Sequence, residues 1–275
     1  MADTLWDEYE VSPVEIALPG GKVGMTLRAY RPASALTPTD VSDREDDDDV
    51  FADHKLRRPI GLADEEELPE FQWTKEALDE VAAAPAEDEV AERVVEAAEA
   101  EEAEESAAEA DLGDEEVPVF LSHKGKLLLF ASAKGLADFV RSNAPHDLKQ
   151  LDGWAKLAKK VKAEDVVAGD EDAYELDLVV ENLRGGPDAW DPELLLRAGE
   201  IARDISYALR LKPVIVSLSP GSPLDDLDEA LRATEEGGLG SFFAKRKLRK
   251  IGAEQASIGW RSIIGKISGA VDWRD

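Results

Sequence analysis

The chain concentrates its negative charge in one continuous segment. Its 275 residues carry a formal net charge of −29, and residues 40–116 alone hold 31 acids against six bases. A segment with high net charge and few apolar side chains cannot bury enough apolar surface to offset the conformational entropy that it loses on folding. We therefore predict a disordered acidic linker at 40–116 between two segments that can fold.

The segments on either side of the linker have the composition of folded protein. We predict an N-terminal β-hairpin segment at 1–39 and an α+β C-terminal domain at 117–275, which the hairpin completes. The remaining length is sufficient for one sizeable hydrophobic core. The acidic linker would then interrupt a single folded domain in sequence.

Two hairpins are predicted from alternating apolar residues around glycine-containing turns. In the first, over 9–31, Val14, Ile16 and Leu18 alternate with other residues before the turn at Gly20-Gly21. In the second, apolar runs flank a turn that contains Gly125. A lone two-stranded hairpin is marginal. The two hairpins resemble each other in sequence. They could share one sheet, or the similarity could be a coincidence.

The remainder of the chain is predicted to be mostly helical. Ser132 can cap one helix, and Asp191-Pro192 opens another with a clear 3.6-residue apolar period. Ser222-Pro223 begins a further helix. Residues 213–216 fit a short strand or an extended linker. The predicted fold class is α+β, a small antiparallel sheet from two hairpins packed with several helices.

Several kinds of chemistry are excluded or disfavoured by the composition. The absence of cysteine excludes disulfides, thiolate nucleophiles and cysteine metal sites. His54, His123 and His146 do not have metal-ligand spacing, and the aspartate run at 46–49 lacks the glycine of a calcium loop. We predict no catalytic residue, no metal and no cofactor, and hence a protein that is not an enzyme.

The sequence also carries expectations about cellular location. The N-terminus has no basic region followed by an apolar run, so it does not resemble a secretory signal. No apolar run approaches the roughly 20 residues that a membrane helix needs. We expect a cytoplasmic protein with no membrane span.

Candidate partner-binding residues are of two kinds, aromatic residues in poorly folded segments and bases near the C-terminus. They are Trp6, Phe71 and Trp73, and Lys245, Arg246, Lys247, Arg249 and Lys250. Residues 242–275 hold eight bases and three acids. This region could be an ordinary core-facing helix with a solvated basic face, a docking site for the acidic linker, or a surface for nucleic acid or an acidic protein. Trp154, Trp190 and Trp260 are predicted to lie in the core.

The overall charge restricts the class of partner. Phosphates would be repelled by the molecule as a whole, so nucleic acid could bind only through the C-terminal basic face. The acidic linker, if it binds anything, favours basic protein partners.

Several short stretches resemble a known protein family. Tyr9-Glu10-Val11-Ser12-Pro13-Val14-Glu15-Ile16, the run Val117-Pro118-Val119-Phe120-Leu121-Ser122-His123-Lys124-Gly125-Lys126-Leu127 and Leu151-Asp152-Gly153-Trp154 carry the resemblance, with 139–142 and 144–148 between them. They are similar to acidic actinobacterial proteins that often carry a "primosomal protein" label. That family in turn resembles the mycobacterial export chaperone of the accessory SecA pathway. The resemblance implies a cytoplasmic, non-enzymatic protein that shields export clients with apolar grooves on its C-terminal domain.

Taken together, the residues and the resemblance favour a protein-binding function. We predict a non-enzymatic chaperone or adaptor whose partners are protein clients. The alternative is an accessory factor in DNA replication or another nucleic-acid process, in which the acidic segment is autoinhibitory.

Overall fold

The computed structural model describes residues 5–42, 44, 115–235, 246–249 and 251–275. The chain divides into two units, Met1–Arg44 with Asp114–Asp275, and Glu45–Gly113. Nearly all of the predicted acidic linker lies outside the described residues, so its disorder stays a prediction. The described residues all belong to the first unit.

Seven strands of the described chain form one sheet. Their order along its main path is β4-β5-β2-β1-β6, while β3 pairs with β2 and β7 pairs with β5. Most pairs are antiparallel, but β6 runs parallel to β1 and β7 runs parallel to β5. The strands are β1 (Ser12–Leu18), β2 (Lys22–Pro32), β3 (Glu116–Phe120), β4 (Ser122–His123), β5 (Lys126–Phe130), β6 (Ala173–Glu175) and β7 (Val271–Arg274).

Both predicted hairpins are present, and they share this one sheet. In the first, β1 and β2 pair in the register Ile16↔Gly24. In the second, β4 and β5 are joined by Lys124 and Gly125, whose φ angles of 51° and 66° suit a tight hairpin turn. The apolar run before this turn forms two strands and not one. Its first part, β3, pairs with β2 in the register Ala29↔Val119, and its second part, β4, pairs with β5.

All seven α-helices of the described residues come after β5 in the chain, with β6 between the second and the third helix and β7 after the last, and two of the helix starts have the predicted caps. The Ser132 hydroxyl accepts a hydrogen bond from Gly135 N, and the Asp191 carboxylate accepts one from Leu194 N. The predicted α+β class is confirmed. The helices are α1 (Ala133–Arg141), α2 (Trp154–Lys160), α3 (Leu176–Arg184), α4 (Pro192–Ala208), α5 (Lys212–Ser217), α6 (Pro223–Glu235) and α7 (Ala253–Gly269).

The sheet separates two hydrophobic cores. The first core lies on the face covered by α3–α7 and includes Val14, Ile16 and Leu129; the second lies under α1 and α2 and includes Leu27 and Leu128. Successive side chains of a strand point to opposite faces, so neighbouring residues enter different cores. A sheet covered on both faces explains why β5 reads as a continuous apolar run.

Two features of the fold differ from the sequence prediction. Residues 213–216 belong to the helix α5 and not to a strand or linker. The edge strands β6 and β7 were not predicted, since each is only three or four residues long and pairs in parallel with a distant segment. Short strands carry too little alternation to be recognised from sequence.

Candidate functional site

Two consecutive helices expose a group of large apolar side chains. Tyr207 near the end of α4 is 41% exposed, and Ile215 and Val216 on α5 are 41% and 68% exposed. Isolated exposed apolar residues are ordinary, but three within ten residues of sequence mark a candidate contact surface. We call Tyr207, Ile215 and Val216 the α5 surface.

The position of these side chains follows from how α5 is packed. Leu211, Val214 and Leu218 are buried in the first core at a spacing of three and four, which is one face of a helix. Pro213 lies in the first turn, where its fixed φ suits a helix and its missing N–H has no cost. Val216 therefore lies on the opposite face of the helix, and Ile215 lies at the edge between the two faces.

The surroundings of the α5 surface differ in charge from the rest of the chain. No acid occurs in the sequence between Asp204 and Asp225, whereas Arg210 lies in the turn that joins α4 to α5 and Lys212 is the first residue of α5. Arg44 contacts the same turn, because its Nη1 donates a hydrogen bond to the carbonyl oxygen of Arg210 over 3.1 Å. The α5 surface is thus apolar, and the chain segment that carries it contains bases but no acids.

A polar cluster around one buried arginine connects the sheet to α4. Arg28 on β2 has an 8% exposed side chain, and its guanidinium donates to Asp172 over 2.8 Å, to Asp204 over 2.7 Å and to Glu200 over 3.3 Å. Two aromatic rings flank it, since the guanidinium carbon lies 5.2 Å from the ring centre of Tyr30 and 5.5 Å from that of Tyr174.

The groups of this cluster are engaged with one another. The hydroxyl of Tyr30 donates to Asp204 over 2.6 Å, and that of Tyr174 donates to Glu200 over 3.0 Å. Burial raises the pKa of both phenols and of the Asp204 carboxyl. Burial opposes the charge of Arg28, but its neighbours outweigh this effect and raise the pKa of Arg28. These hydrogen bonds and ion pairs link α4 to the sheet.

A second buried titratable group lies in the other core. His146 is 6% exposed, and neither ring nitrogen has a hydrogen-bond partner among the described residues. Its ring lies 4.7 Å from that of Trp154 and 5.8 Å from that of Phe139. Burial, assisted by the charges of Lys149 and His123, lowers the pKa of His146 to about 4.

The structure corrects the expectation for Trp6, which was predicted to be an exposed anchor in a poorly folded segment. Trp6 is 6% exposed in the second core, and its indole N–H donates to the carbonyl oxygen of Asp165. The surrounding residues Tyr9 and Val11 are also buried. The predicted core positions Trp154, Trp190 and Trp260 are confirmed as buried.

The remaining predicted binding residues are only partly covered by the structure. Lys247 pairs with Asp226 over 2.7 Å and with Glu229 over 3.2 Å, and Arg249 pairs with Asp188 over 3.2 Å. The basic C-terminal region therefore neutralises acids of the folded unit itself. Arg246 is exposed. Phe71, Trp73, Lys245 and Lys250 lie outside the described residues.

The sequence of the folded unit matches one known protein family. The sequence profile described as SatS C-terminal domain matches residues 107–267, which is more than half of the chain. The chain belongs to this family. No curated protein matches it.

A solved structure supports the assignment at the level of the fold. The crystal structure of the SatS C-terminal domain in complex with bromine is 18% identical, with a TM-score of 0.57. The match covers 98% of this chain and 96% of that chain. It shows a shared fold. Neither the family nor this crystal structure supports the primosomal label.

Metal-binding clusters and membrane-spanning helices are not found among the described residues. In this part of the chain, no group of three or more histidines and carboxylates is arranged to hold a metal ion. No described helix has the length and apolar character needed to cross a bilayer.

Sequence reasoning missed both the α5 surface and the Arg28 cluster. The α5 surface was missed because alternation places Val214 and Val216 on one side of a strand. Arg28 was missed because the face of β2 that carries Thr26 and Arg28 reads as solvent-facing. A usable signal for Arg28 was the pair Glu200 and Asp204, four residues apart beside the buried Ile201 and Ile205 of α4.

Proposed function

We propose that the protein is a non-enzymatic chaperone or adaptor that holds apolar segments of export clients in the cytoplasm. Membership of the SatS C-terminal domain family and the resemblance to the export chaperone support an export-related role. The observation that carries the proposal is the α5 surface, where Ile215 and Val216 are exposed on a helix whose other face is firmly packed.

The strength of such a surface suits reversible capture. Covering one exposed aliphatic side chain contributes about 1.5–3 kcal/mol at most, before the entropy of association is subtracted. Three side chains therefore give weak binding on their own. A client with several apolar segments could be held by repeated contacts and released without an input of energy.

The acidic segment has a proposed role in the same function. We keep the predicted organisation of 1–39, 40–116 and 117–275, with the middle segment as a solubilising linker. Its net charge of −25 would oppose the association of complexes that still expose apolar surface. The nucleic-acid alternative depends on C-terminal bases of which Lys247 and Arg249 are already paired, so we do not propose it.

The proposal is tested by aggregation of a denatured reporter enzyme. Rhodanese diluted from guanidinium chloride should scatter less light when the full chain is present at stoichiometric amounts. Ile215→Ser with Val216→Ser should require about tenfold more protein for the same effect, because two contacts of roughly 0.7 kcal/mol each are lost. Both residues are exposed, so the fold should be retained.

The matched control removes two exposed apolar side chains elsewhere on the folded unit. Val167 and Leu178 are 69% and 46% exposed, and Val167→Ser with Leu178→Ser should leave the suppression unchanged. Failure of the wild-type chain to suppress scattering would sink the chaperone function. Suppression that survives the α5 substitutions would instead place the client site elsewhere.

A further inference from the structure

The helix α2 presents a row of lysines to solvent on a chain that is strongly acidic overall. Lys156, Lys159 and Lys160 are exposed at a spacing of three and four, which places them on one side of the helix. The other side buries Trp154 and Leu157 in the second core. We call Lys156, Lys159 and Lys160 the α2 lysine face.

Further lysines extend the positive charge beyond the helix. Lys149 precedes α2 and Lys162 follows it, and both are exposed. Lys162 pairs with Glu164 over 3.0 Å, and Asp152 is the single acid between 148 and 163. Five lysines within 149–162 thus outnumber the acids close to them in sequence.

The pairing of these lysines shows what chemistry the surface accepts. Lys160 Nζ lies 2.8 Å from both carboxylate oxygens of Glu8. The hydrogen bond from Lys160 lowers the pKa of the Glu8 carboxyl, and the charge of Lys156 acts in the same direction. A carboxylate from the N-terminal turn is therefore already seated at one edge of the face.

The rest of the face has room for more carboxylates. Within the part of the chain that the structure describes, Lys156 and Lys159 form no ion pair within 4.0 Å. They lie on the same side of α2 as Lys160, whose partner Glu8 is an exposed acid on a separate segment. An incoming acidic segment could place its carboxylates on this pair as Glu8 does on Lys160.

We propose that the α2 lysine face is a docking surface for an acidic segment of a partner protein. It is distinct from the α5 surface, because α2 covers the second core whereas α5 covers the first, on the opposite face of the sheet. A client at α5 and an acidic partner at α2 can therefore be bound at the same time. The proposal does not depend on the chaperone function.

The net charge of −29 does not prevent this interaction at physiological salt. The Debye length is about 8 Å at 0.15 M, so an acid that lies farther than this from the α2 lysine face is largely screened, whereas lysines next to a bound carboxylate are not. Each exposed lysine–carboxylate pair contributes little to binding by itself. The expected complex is weak, reversible and sensitive to salt.

The test measures binding of a fluorescein-labelled polyglutamate peptide to the full-length protein by anisotropy. At about 0.15 M salt the wild type should bind, and at about 1 M salt the binding should disappear. Lys156→Gln with Lys159→Gln should weaken it about fivefold or more, the equivalent of two pairs of roughly 0.5 kcal/mol. Lys156→Arg with Lys159→Arg keeps the charge and should bind like the wild type.

A matched control makes the same change in net charge elsewhere. Lys126 and Lys212 are exposed outside α2, and Lys126→Gln with Lys212→Gln should leave the affinity unchanged. Equal weakening by both glutamine pairs would overturn the proposal, since overall charge would then hold the peptide. Absence of salt-sensitive binding by the wild type would also overturn it. Binding of a DNA duplex but not of the peptide would replace the acidic protein partner with nucleic acid.

Discussion

At the scale of single residues, the most informative side chains are charged or titratable groups held inside the fold. Arg28 could not be buried alone, since an unpaired guanidinium in the interior costs several kcal/mol. Its contacts with Asp172, Glu200 and Asp204 bring together β2, the turn before β6, and α4. A buried ion cluster of this kind adds little net stability, and its contacts join one surface of α4 to the sheet.

His146 makes the second core sensitive to acid. Its pKa is about 4 in the folded protein against about 6.5 in an unfolded chain, so the unfolded state takes up the proton first as pH falls. The effect is absent above pH 6.5, grows between pH 6.5 and 4, and is complete below that range. Between pH 7 and pH 5, we expect His146 to reduce the free energy of unfolding by about 2 kcal/mol.

Urea unfolding of the wild type and of His146→Phe at both pH values measures this contribution. The variant should lose about 2 kcal/mol less than the wild type on acidification, because phenylalanine does not titrate. His123→Gln is the control that removes a less buried imidazole, and it should keep most of the wild-type pH dependence, because the charge of His123 is the smallest of the three effects that lower the pKa of His146. Equal acid sensitivity in His146→Phe and the wild type would contradict the assignment.

The residue scale also shows what could be predicted from sequence. The burial of Trp154 and Trp260 followed from regular apolar spacing, and both were predicted. Trp6 was placed wrongly, because its contacts with Asp165 and the second core come from segments far away in the chain. Long-range partners of this kind leave no local pattern.

At the scale of elements, caps and turns were predictable while the choice between helix and strand at α5 was not. Ser132, Asp191 and Gly125 act within a few residues of themselves, so their roles are visible in sequence. The β-branched run 214–216 favours a strand locally. Burial of Val214 in the first core, from a helix that begins next to Pro213, outweighs that preference.

Two neighbouring valines distinguish these alternatives experimentally. In a helix, Val214 and Val216 lie on nearly opposite sides, whereas in a strand they share one face. Val214→Ala should lower the free energy of unfolding by about 2 kcal/mol, because it removes two buried methyl groups and leaves a cavity. Val216→Ala should change it by less than about 0.5 kcal/mol.

Chemical denaturation of both variants gives the comparison directly, and each serves as the control for the other. Similar losses from the two substitutions would contradict the helical assignment. A small effect of Val216→Ala has a functional consequence as well. A small effect would mean that the stability of the fold does not depend on the exposed Val216 side chain, as expected of a contact surface.

At the scale of the whole molecule, the central strands belong to two cores at once. Leu127 and Leu129 of β5 enter the first core, while Leu128 and Phe130 enter the second. Neither core can lose its part of β5 without disturbing the other. The alternation that made the strands predictable therefore also couples the two helical layers, although the layers themselves were not foreseen.

This coupling predicts one cooperative unfolding transition for the folded unit. Leu128→Ala and Leu129→Ala act on opposite cores, and each should lower the free energy of unfolding by about 3 kcal/mol. Hydrogen exchange should then accelerate for the most protected amides of both α1 and α4 in either variant, because these amides exchange through global unfolding. Leu178→Ala, at an exposed position, is the control and should change little. Faster exchange in α1 alone after Leu128→Ala would mean that the two layers unfold independently across a sheet that stays intact.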